Sequence, residues 1–153
     1  MTDLAAVARE IIDANRYMVL GTADEGGRPW VSPVWFAHDG YGELFWVSSP
    51  DATHSRNLAS RPELGIVVFD SQVPIGSGQG VYMSAVADVV TGAELERGLD
   101  VFSERSVAQG GRRWTLEDVG DRYRLYRATV SAHWVLDPDR SPDQRVPVDL
   151  ASG

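Results

Sequence analysis

The sequence contains no cysteine and no lysine, so all 14 of its basic residues are arginine. Without cysteine the chain has no disulfide, no thiol nucleophile and no thiolate metal ligand. Without lysine it has no side-chain amine for Schiff-base chemistry. The lack of cysteine fits a reducing compartment, and we expect a cytoplasmic protein.

Positive charge is scarce as well, because 22 acidic residues outnumber the arginines and the net charge is −8. Nucleic-acid binding is therefore disfavoured, since neutralising many phosphates needs a basic face. A local arginine site for a single phosphate remains compatible with this balance. The chain has no apolar run of about 20 residues, and its first residues lack the basic stretch of a signal peptide. We expect neither a membrane partner nor a signal peptide.

The spacing of apolar and turn residues predicts one mainly β domain with short helices. Strands are expected at 17–23, 29–37, 43–49, 64–69, 81–90 and 126–136, and helices at 4–12, at 53–60 and after residue 92. Turns at 24–27 and 39–42 favour an antiparallel sheet of about six strands, closed or half-closed into a barrel. We place this domain at 1–137 and a C-terminal arm rich in Pro, Asp and Arg at 138–153.

Two local patterns carry more specific expectations. Residues 91–94 (Thr-Gly-Ala-Glu) fit a capping box for the helix that follows. In the last strand, alternation assigns one set of residues to each face of the sheet. One face takes Tyr126, Ala128, Val130, Ala132, Trp134 and Leu136, and the other takes Arg127, Thr129, Ser131 and His133.

Polar groups are concentrated at the corner between the third strand and the helix after it. This corner contains Ser48, Ser49, Thr53, His54, Ser55, Arg56 and Asn57. Hydroxyls, an imidazole and a guanidinium beside the free N–H groups of a helix start suit a phosphate. The same residue types are also typical of an ordinary helix N-cap with solvated side chains, so both interpretations stay open.

Aromatic residues surround that corner in the sequence, namely Trp30, Trp35, Phe36, Phe45 and Trp46. They suit a flat aromatic ligand, and they equally suit core packing and a dimer surface. The three histidines, His38, His54 and His133, are scattered without metal-ligand spacing, so we expect no metal site. The loop 76–80 lacks the lysine of a phosphate-binding loop and offers Gln79 as a polar contact.

The order and spacing of several segments resemble the pyridoxamine 5'-phosphate oxidase-like family of flavin-binding split β-barrels. The segments are Leu20-Gly21-Thr22, Gly27-Arg28-Pro29, Pro33-Val34-Trp35-Phe36, Arg56-Asn57-Leu58, Val68-Phe69-Asp70 and Gly80-Val81-Tyr82-Met83-Ser84-Ala85. The resemblance extends over residues 5–136. It implies a six-stranded antiparallel split β-barrel that works as a homodimer, with flavin mononucleotide (FMN) at the dimer interface.

The resemblance also implies roles for individual residues. Pro33, Val34 and Trp35 would run beside the flavin ring through their backbone groups. The phosphate would be surrounded by Ser48, Ser49, Thr53, His54, Arg56 and Asn57. Gln79, Tyr82 and Trp134 would approach the cofactor, from the second subunit. A bound flavin would carry the redox chemistry, because no acid–base pair of side chains stands out.

Two departures from the family pattern bear on the ligand and the substrate. Many relatives carry lysine where His54 stands, and histidine is a pH-dependent cation near neutrality. The Arg-x-His substrate motif of true pyridoxamine phosphate oxidases is missing, so vitamin B6 is not the expected small-molecule substrate. Two alternatives keep the fold: a deazaflavin-dependent reductase, whose cofactor needs a basic groove for its long acidic tail, and a non-enzymatic cofactor carrier or heme-related binder.

Overall fold

The structure is a computed structural model that describes residues 2–139 and 144–151. Its helices are α1 (Leu4–Ala14), α2 (Thr53–Ser60) and α3 (Ala93–Ala108), with a short 3-10 helix at Leu116–Asp118. Its strands are β1 (Tyr17–Ala23), β2 (Pro29–Trp35), β3 (Ala37–Asp39), β4 (Glu43–Ser48), β5 (Glu63–Phe69), β6 (Gly80–Val89), β7 (Arg124–Leu136) and β8 (Arg145–Val148). The prediction of a mainly β fold with short helices is confirmed.

All strand pairs form one antiparallel sheet with the order β2-β1-β5-β6-β7-β4-β3, and β8 pairs with β7. The sheet curls into a half-barrel, because one buried cluster takes residues from β1, β2, β4, β5, β6 and β7. Trp46 and Met18 are fully buried in this cluster, and α1 covers it through Ala8 and Ile12. A second cluster, which includes Phe45, Leu99 and Phe102, fixes α3 to the outer side of β4.

The predicted strand at 29–37 is divided at Phe36. β2 pairs with β1, whereas β3 pairs with β4 on the other side of the barrel. Between them, the N–H of Phe36 donates to the carbonyl of Arg16 at 3.3 Å, and the Phe36 ring is fully buried. The single predicted strand is therefore observed as two strands, which lie in different parts of the sheet. The number of strands is higher than predicted for this reason.

The described part of the predicted C-terminal arm, residues 138–139 and 144–151, includes β8. This strand pairs with β7 from His133 to Leu136. Leu150 behind it is buried in the main core, and its carbonyl accepts a hydrogen bond from Arg9 at 3.4 Å. Residues 140–143 and 152–153, which belong to the same predicted arm, lie outside the described residues.

The predicted alternation of β7 is wrong beyond Val130. A register shift between Ser84 and Ala85 on β6 leaves one extra residue on β7, which is a β-bulge. The bulge exchanges the two faces, since each added residue reverses the side to which the following side chains point. Tyr126 and Ala128 face the core as predicted, but Val135 joins them there instead of Trp134.

Helix starts follow the expected chemistry only in part. Asp3 caps α1, and its carboxylate accepts from the N–H of Ala6 at 3.1 Å. The capping box predicted at 91–94 is absent, because the N-cap residue of α3 is Gly92, which has a φ of 64° and no side chain to cap the helix. A capping box forms instead between Thr115 and Asp118 at the 3-10 helix. Among the described helices, none has the length and apolarity that a membrane crossing requires.

Candidate functional site

A cavity of about 680 Å³ lies where β2, the end of β4, the start of α2 and the C-terminal half of α3 meet. Its volume is within the range of small-molecule and cofactor sites. Its walls include Pro33, Val34, Trp35, Ser48 and His54, which are five of the residues that the family resemblance assigns to cofactor binding. The remaining walls are Arg16, Tyr17, Val47, Phe102, Ser106, Gln109, Gly111, Trp114 and Tyr123. We call this space the aromatic cavity.

Three aromatic rings on one side of the aromatic cavity hold one another in place. Phe102 on α3 meets Trp35 edge to face at 4.9 Å between ring centroids and Trp114 edge to face at 5.6 Å. The indole Nε1–H of Trp35 donates to Oε1 of Gln109 at 2.8 Å. These contacts fix the orientation of Trp35, so one wall is a preformed apolar surface suited to a flat ring.

Ser48 and His54 form the polar part of the wall. β4 ends at Ser48 and α2 begins at Thr53, so a short turn brings the two side chains together. Ser48 Oγ and His54 Nε2 are hydrogen-bonded at 2.9 Å. Burial lowers the pKa of His54 below its ordinary value, because desolvation penalises the charged imidazole. The imidazole is therefore neutral near pH 7 when no anion accompanies it.

The charge of the lining is opposite in sign to that of the whole protein. No carboxylate is among the described residues that line the aromatic cavity, although the chain carries a net charge of −8. Arg16 is its permanently charged residue, and His54 can add a second positive charge on protonation. This lining favours a neutral or anionic ligand and disfavours a cationic amine.

Four other predicted phosphate residues do not line the aromatic cavity. Asn57 is buried, and its amide Nδ2 donates to Thr22 Oγ1 at 3.0 Å. Arg56 has a side chain that is 71% exposed and lies 4.0 Å from a carboxylate oxygen of Asp51. Ser49 Oγ accepts from the N–H of Asp51 at 3.1 Å, and Thr53 is the exposed first residue of α2.

The third predicted group, Gln79, Tyr82 and Trp134, lies outside the lining of the aromatic cavity within one chain. Gln79 joins the start of β6 to the end of β7: its Oε1 accepts from the N–H of Leu136 at 2.8 Å, and its Nε2 donates to the carbonyl of the same residue at 3.0 Å. Tyr82 and Trp134 are cross-strand partners on the outer face of the sheet. The guanidinium of Arg145 lies 3.7 Å from the centroid of the Tyr82 ring.

A register row connects the aromatic cavity to Tyr82 and Trp134. Directly paired residues on neighbouring antiparallel strands point to the same face of a sheet. The paired positions across six strands, from β2 to β8, are Pro33, Val19, Val67, Tyr82, Trp134 and Pro147. This apolar row begins at a cavity wall, and Val31 beside it is 67% exposed.

Sequence reasoning missed the contribution of α3 and the segment that follows it. The sequence motifs assign no role to Phe102, Gln109 or Trp114, which all line the aromatic cavity. The chain turns sharply after α3, where a Cβ on Gly111 would lie 2.4 Å from Ser106 Oγ. In the sequence, the glycine pair at 110–111 indicates such a tight turn, and this turn brings Trp114 back onto Phe102.

Solved structures with the same fold include proteins with different ligands. The heme-binding protein of Mycobacterium smegmatis superposes with a TM-score of 0.75 at 20% identity, over 99% of this chain and 60% of that protein. The heme storage protein HutZ of Vibrio cholerae gives 0.65 at 22% identity, over 80% and 87%. An F420 reductase gives 0.60 at 18% identity, over 82% and 94%. At these identities the likeness establishes the fold alone.

The curled sheet and the cavity at its outer side define a split β-barrel protein. Residues 4–136 match the model of the family described as pyridoxamine 5'-phosphate oxidase. The chain belongs to this family, as its sequence motifs indicated. No curated protein matches the chain significantly. Within the described residues, no group of three or more His, Cys, Asp or Glu side chains could hold a metal ion.

Proposed function

We propose that this protein is a homodimeric flavoprotein that binds FMN in the aromatic cavity and catalyses the oxidation or reduction of a small molecule. One observation carries this proposal: five residues that the family motifs assign to the cofactor line one cavity that has an aromatic wall, a Ser–His pair and no carboxylate. The size, flatness and charge of FMN match these properties. When bound, FMN supplies hydride and electron transfer.

The residues of the aromatic cavity have distinct tasks in this proposal. Pro33, Val34 and Trp35 run along β2 beside the flavin ring, and the hydrogen bond from Trp35 to Gln109 keeps the wall in one orientation. Ser48 and His54 receive the phosphate, because a hydroxyl and a protonated imidazole both donate to phosphate oxygens. Phe102 and Trp114 exclude water from the same side.

A homodimer would complete the site. The apolar row from Pro33 to Trp134 leaves Tyr82 and Trp134 only half-buried in the single chain. A second copy placed on this row would cover it and would bring its own Tyr82 and Trp134 towards the first copy's cavity. Light scattering, which measures the molar mass in solution, tests this with two variants. Val31→Asp places a charge beside the apolar row, and Leu116→Asp is the control, because Leu116 is an exposed residue of the 3-10 helix. Dissociation by the Val31 variant alone supports the dimer.

An absorbance spectrum of the purified protein tests the cofactor directly. Flavin bands, with FMN identified after release, support the proposal. A colourless protein that also fails to bind added FMN in a fluorescence titration contradicts it. Turnover is tested by following flavin bleaching with NADH or NADPH under nitrogen. Binding of FMN without any reduction favours a cofactor carrier over an enzyme.

Heme is a second candidate because the cavity contains a histidine that burial keeps neutral. Neutral imidazole is the form that ligates iron, and two proteins of the same fold are named for heme binding or storage. A Soret band that appears on hemin addition and is lost in His54→Gln would support this candidate. A deazaflavin cofactor has less support, since Arg16 is the sole permanent cation in the described lining for its long acidic tail.

A further inference from the structure

We infer that Arg16 is the fixed cation that selects an anionic ligand in the aromatic cavity, a role that no family motif assigns to it. This inference rests on the proposed function and extends it, because it names the residue that distinguishes a phosphorylated ligand from a neutral one. Arg16 lies between α1 and β1, immediately before Tyr17, and both residues line the cavity beside Trp35.

The first support is the lack of a partner for the Arg16 side chain. Most arginines of this acidic protein are engaged: Arg97, Arg112, Arg113 and Arg127 form ion pairs, and Arg9, Arg61 and Arg105 donate to backbone carbonyls. Arg56 lies near Asp51, and the guanidinium groups of Arg122 and Arg145 lie over tyrosine rings. Among the described arginines, the side chains of Arg16, Arg28 and Arg124 make none of these contacts. Of these three, Arg16 is the one that lines the aromatic cavity.

The second support is the position of the other candidate cations. Arg16 and Arg56 are both exposed, but Arg56, which the motif would place at the phosphate, lies near Asp51 and outside the cavity wall. His54 does line the wall, but its lowered pKa keeps it neutral near pH 7 without an anion. A permanent charge in the lining must therefore come from Arg16, since arginine stays protonated at all physiological pH values.

The backbone around Arg16 is well fixed, so the side chain projects from a defined point. The carbonyl of Arg16 accepts from the N–H of Phe36. The preceding residue, Asn15, has its carbonyl bound by the guanidinium of Arg105 at 2.9 Å. Tyr17 pairs with Trp35 across β1 and β2. Because the backbone at Arg16 is already ordered, binding of an anion costs little backbone entropy. The long side chain of Arg16 can adjust to the position of that anion.

The experiment compares two matched pairs of ligands, each an anion and its neutral counterpart: FMN with riboflavin, and 1-naphthyl phosphate with 1-naphthol. Dissociation constants are measured by fluorescence or calorimetry for wild type, Arg16→Gln, Arg28→Gln and Arg56→Gln. Arg28 is the control, because it is an exposed arginine without a described partner outside the cavity. Circular dichroism melting establishes that each variant is folded.

We expect Arg16→Gln to weaken FMN binding about 10- to 100-fold, the loss of one charge-assisted hydrogen bond, with little change for riboflavin. Arg28→Gln should leave both constants unchanged. An unchanged preference for FMN over riboflavin in Arg16→Gln, or a loss confined to Arg56→Gln, overturns the inference. If the wild-type protein binds neither flavin, the proposed function fails. The two naphthyl compounds then test the role of Arg16 separately: wild type must bind 1-naphthyl phosphate more tightly than 1-naphthol, and Arg16→Gln must lose this preference.

Discussion

The indole of Trp35 and the amide of Gln109 are joined by a 2.8 Å hydrogen bond that connects β2 to the end of α3. The two residues are 74 positions apart in the chain. Gln109 is the C-cap residue of α3, where its own N–H is bound by carbonyls of the last turn. The helix end therefore fixes the backbone of Gln109, and the side chain of Gln109 positions Trp35 in the aromatic wall of the cavity.

Replacing Gln109 by alanine should loosen this wall. The indole N–H loses its acceptor in a partly buried place, which we expect to cost about 0.5–1.5 kcal/mol of unfolding free energy. FMN affinity should fall as well, because Trp35 gains rotational freedom that binding must remove. Urea unfolding and flavin titration measure the two effects. Gln72→Ala, in an exposed loop, is the control, and equal behaviour of the two variants would contradict a positioning role for Gln109.

Asn57 should prove important for stability rather than for phosphate affinity. Its amide and Thr22 Oγ1 form a buried hydrogen bond, so Asn57→Leu leaves a buried hydroxyl without this donor at a cost of about 1–3 kcal/mol. The double variant Thr22→Val/Asn57→Leu removes both partners and should recover part of that loss. Chemical unfolding of the four proteins gives the coupling energy. A coupling energy of zero would show that the bond contributes nothing.

Gly98 should resist substitution although it lies inside a helix. Glycine to alanine in an exposed helix usually stabilises by about 1 kcal/mol. Here an added Cβ would lie 2.8 Å from Leu125 Cδ2 and 3.2 Å from Phe45 Cε1, where α3 packs on β4 and β7. We expect Gly98→Ala to destabilise by about 1–3 kcal/mol through overpacking. Gly120→Ala, with no atom within 4 Å of the added Cβ, is the comparison in thermal unfolding.

The sequence was sufficient for features that depend on neighbouring residues. The turns at 24–27 and 39–42 fixed the hairpins, and the run from Ser48 to His54 correctly combined two cavity residues across a short turn. Features that depend on pairing between distant segments were not predictable in this way. The crossing at Phe36 requires two different partner strands for one apolar run, and the bulge in β7 leaves no compositional trace.

The cavity wall from α3 illustrates the same limit for the site. Leu99 and Phe102 form an apolar stripe that predicts a core-facing helix, and both residues are indeed buried. A ring that is buried against Trp35 can nevertheless also line a cavity, and periodicity does not distinguish the two situations. The lining of the cavity was therefore predictable at β2, β4 and α2, where motifs exist, and not at Gln109 or Trp114, which reach it only through tertiary packing.

Stability should decrease in mild acid because two histidines are half-buried. Burial lowers the pKa of both His54 and His133 below the ordinary value of 6.5, so the unfolded chain binds protons more readily than the folded one. Their contribution is complete above pH 6.5 and is lost as the pH falls from there through the lowered folded values. Unfolding free energies at pH 7.5, 6.5 and 5.5 measure the effect. A smaller acid loss in His54→Gln supports the assignment, and a flat profile in wild type contradicts it.

His54→Lys should strengthen FMN binding and remove most of its pH dependence. In wild type, the phosphate must draw a proton onto a half-buried imidazole that is otherwise neutral, so FMN affinity should rise as the pH falls from 8 to 6 while riboflavin affinity stays level. A lysine brings its charge without that proton uptake, and we expect at least a tenfold gain at pH 8, about 1.4 kcal/mol. Titrations of both flavins at each pH supply the measurement, with riboflavin as the internal control for damage to the aromatic wall. An FMN affinity that is independent of pH in wild type would mean that His54 does not face the phosphate.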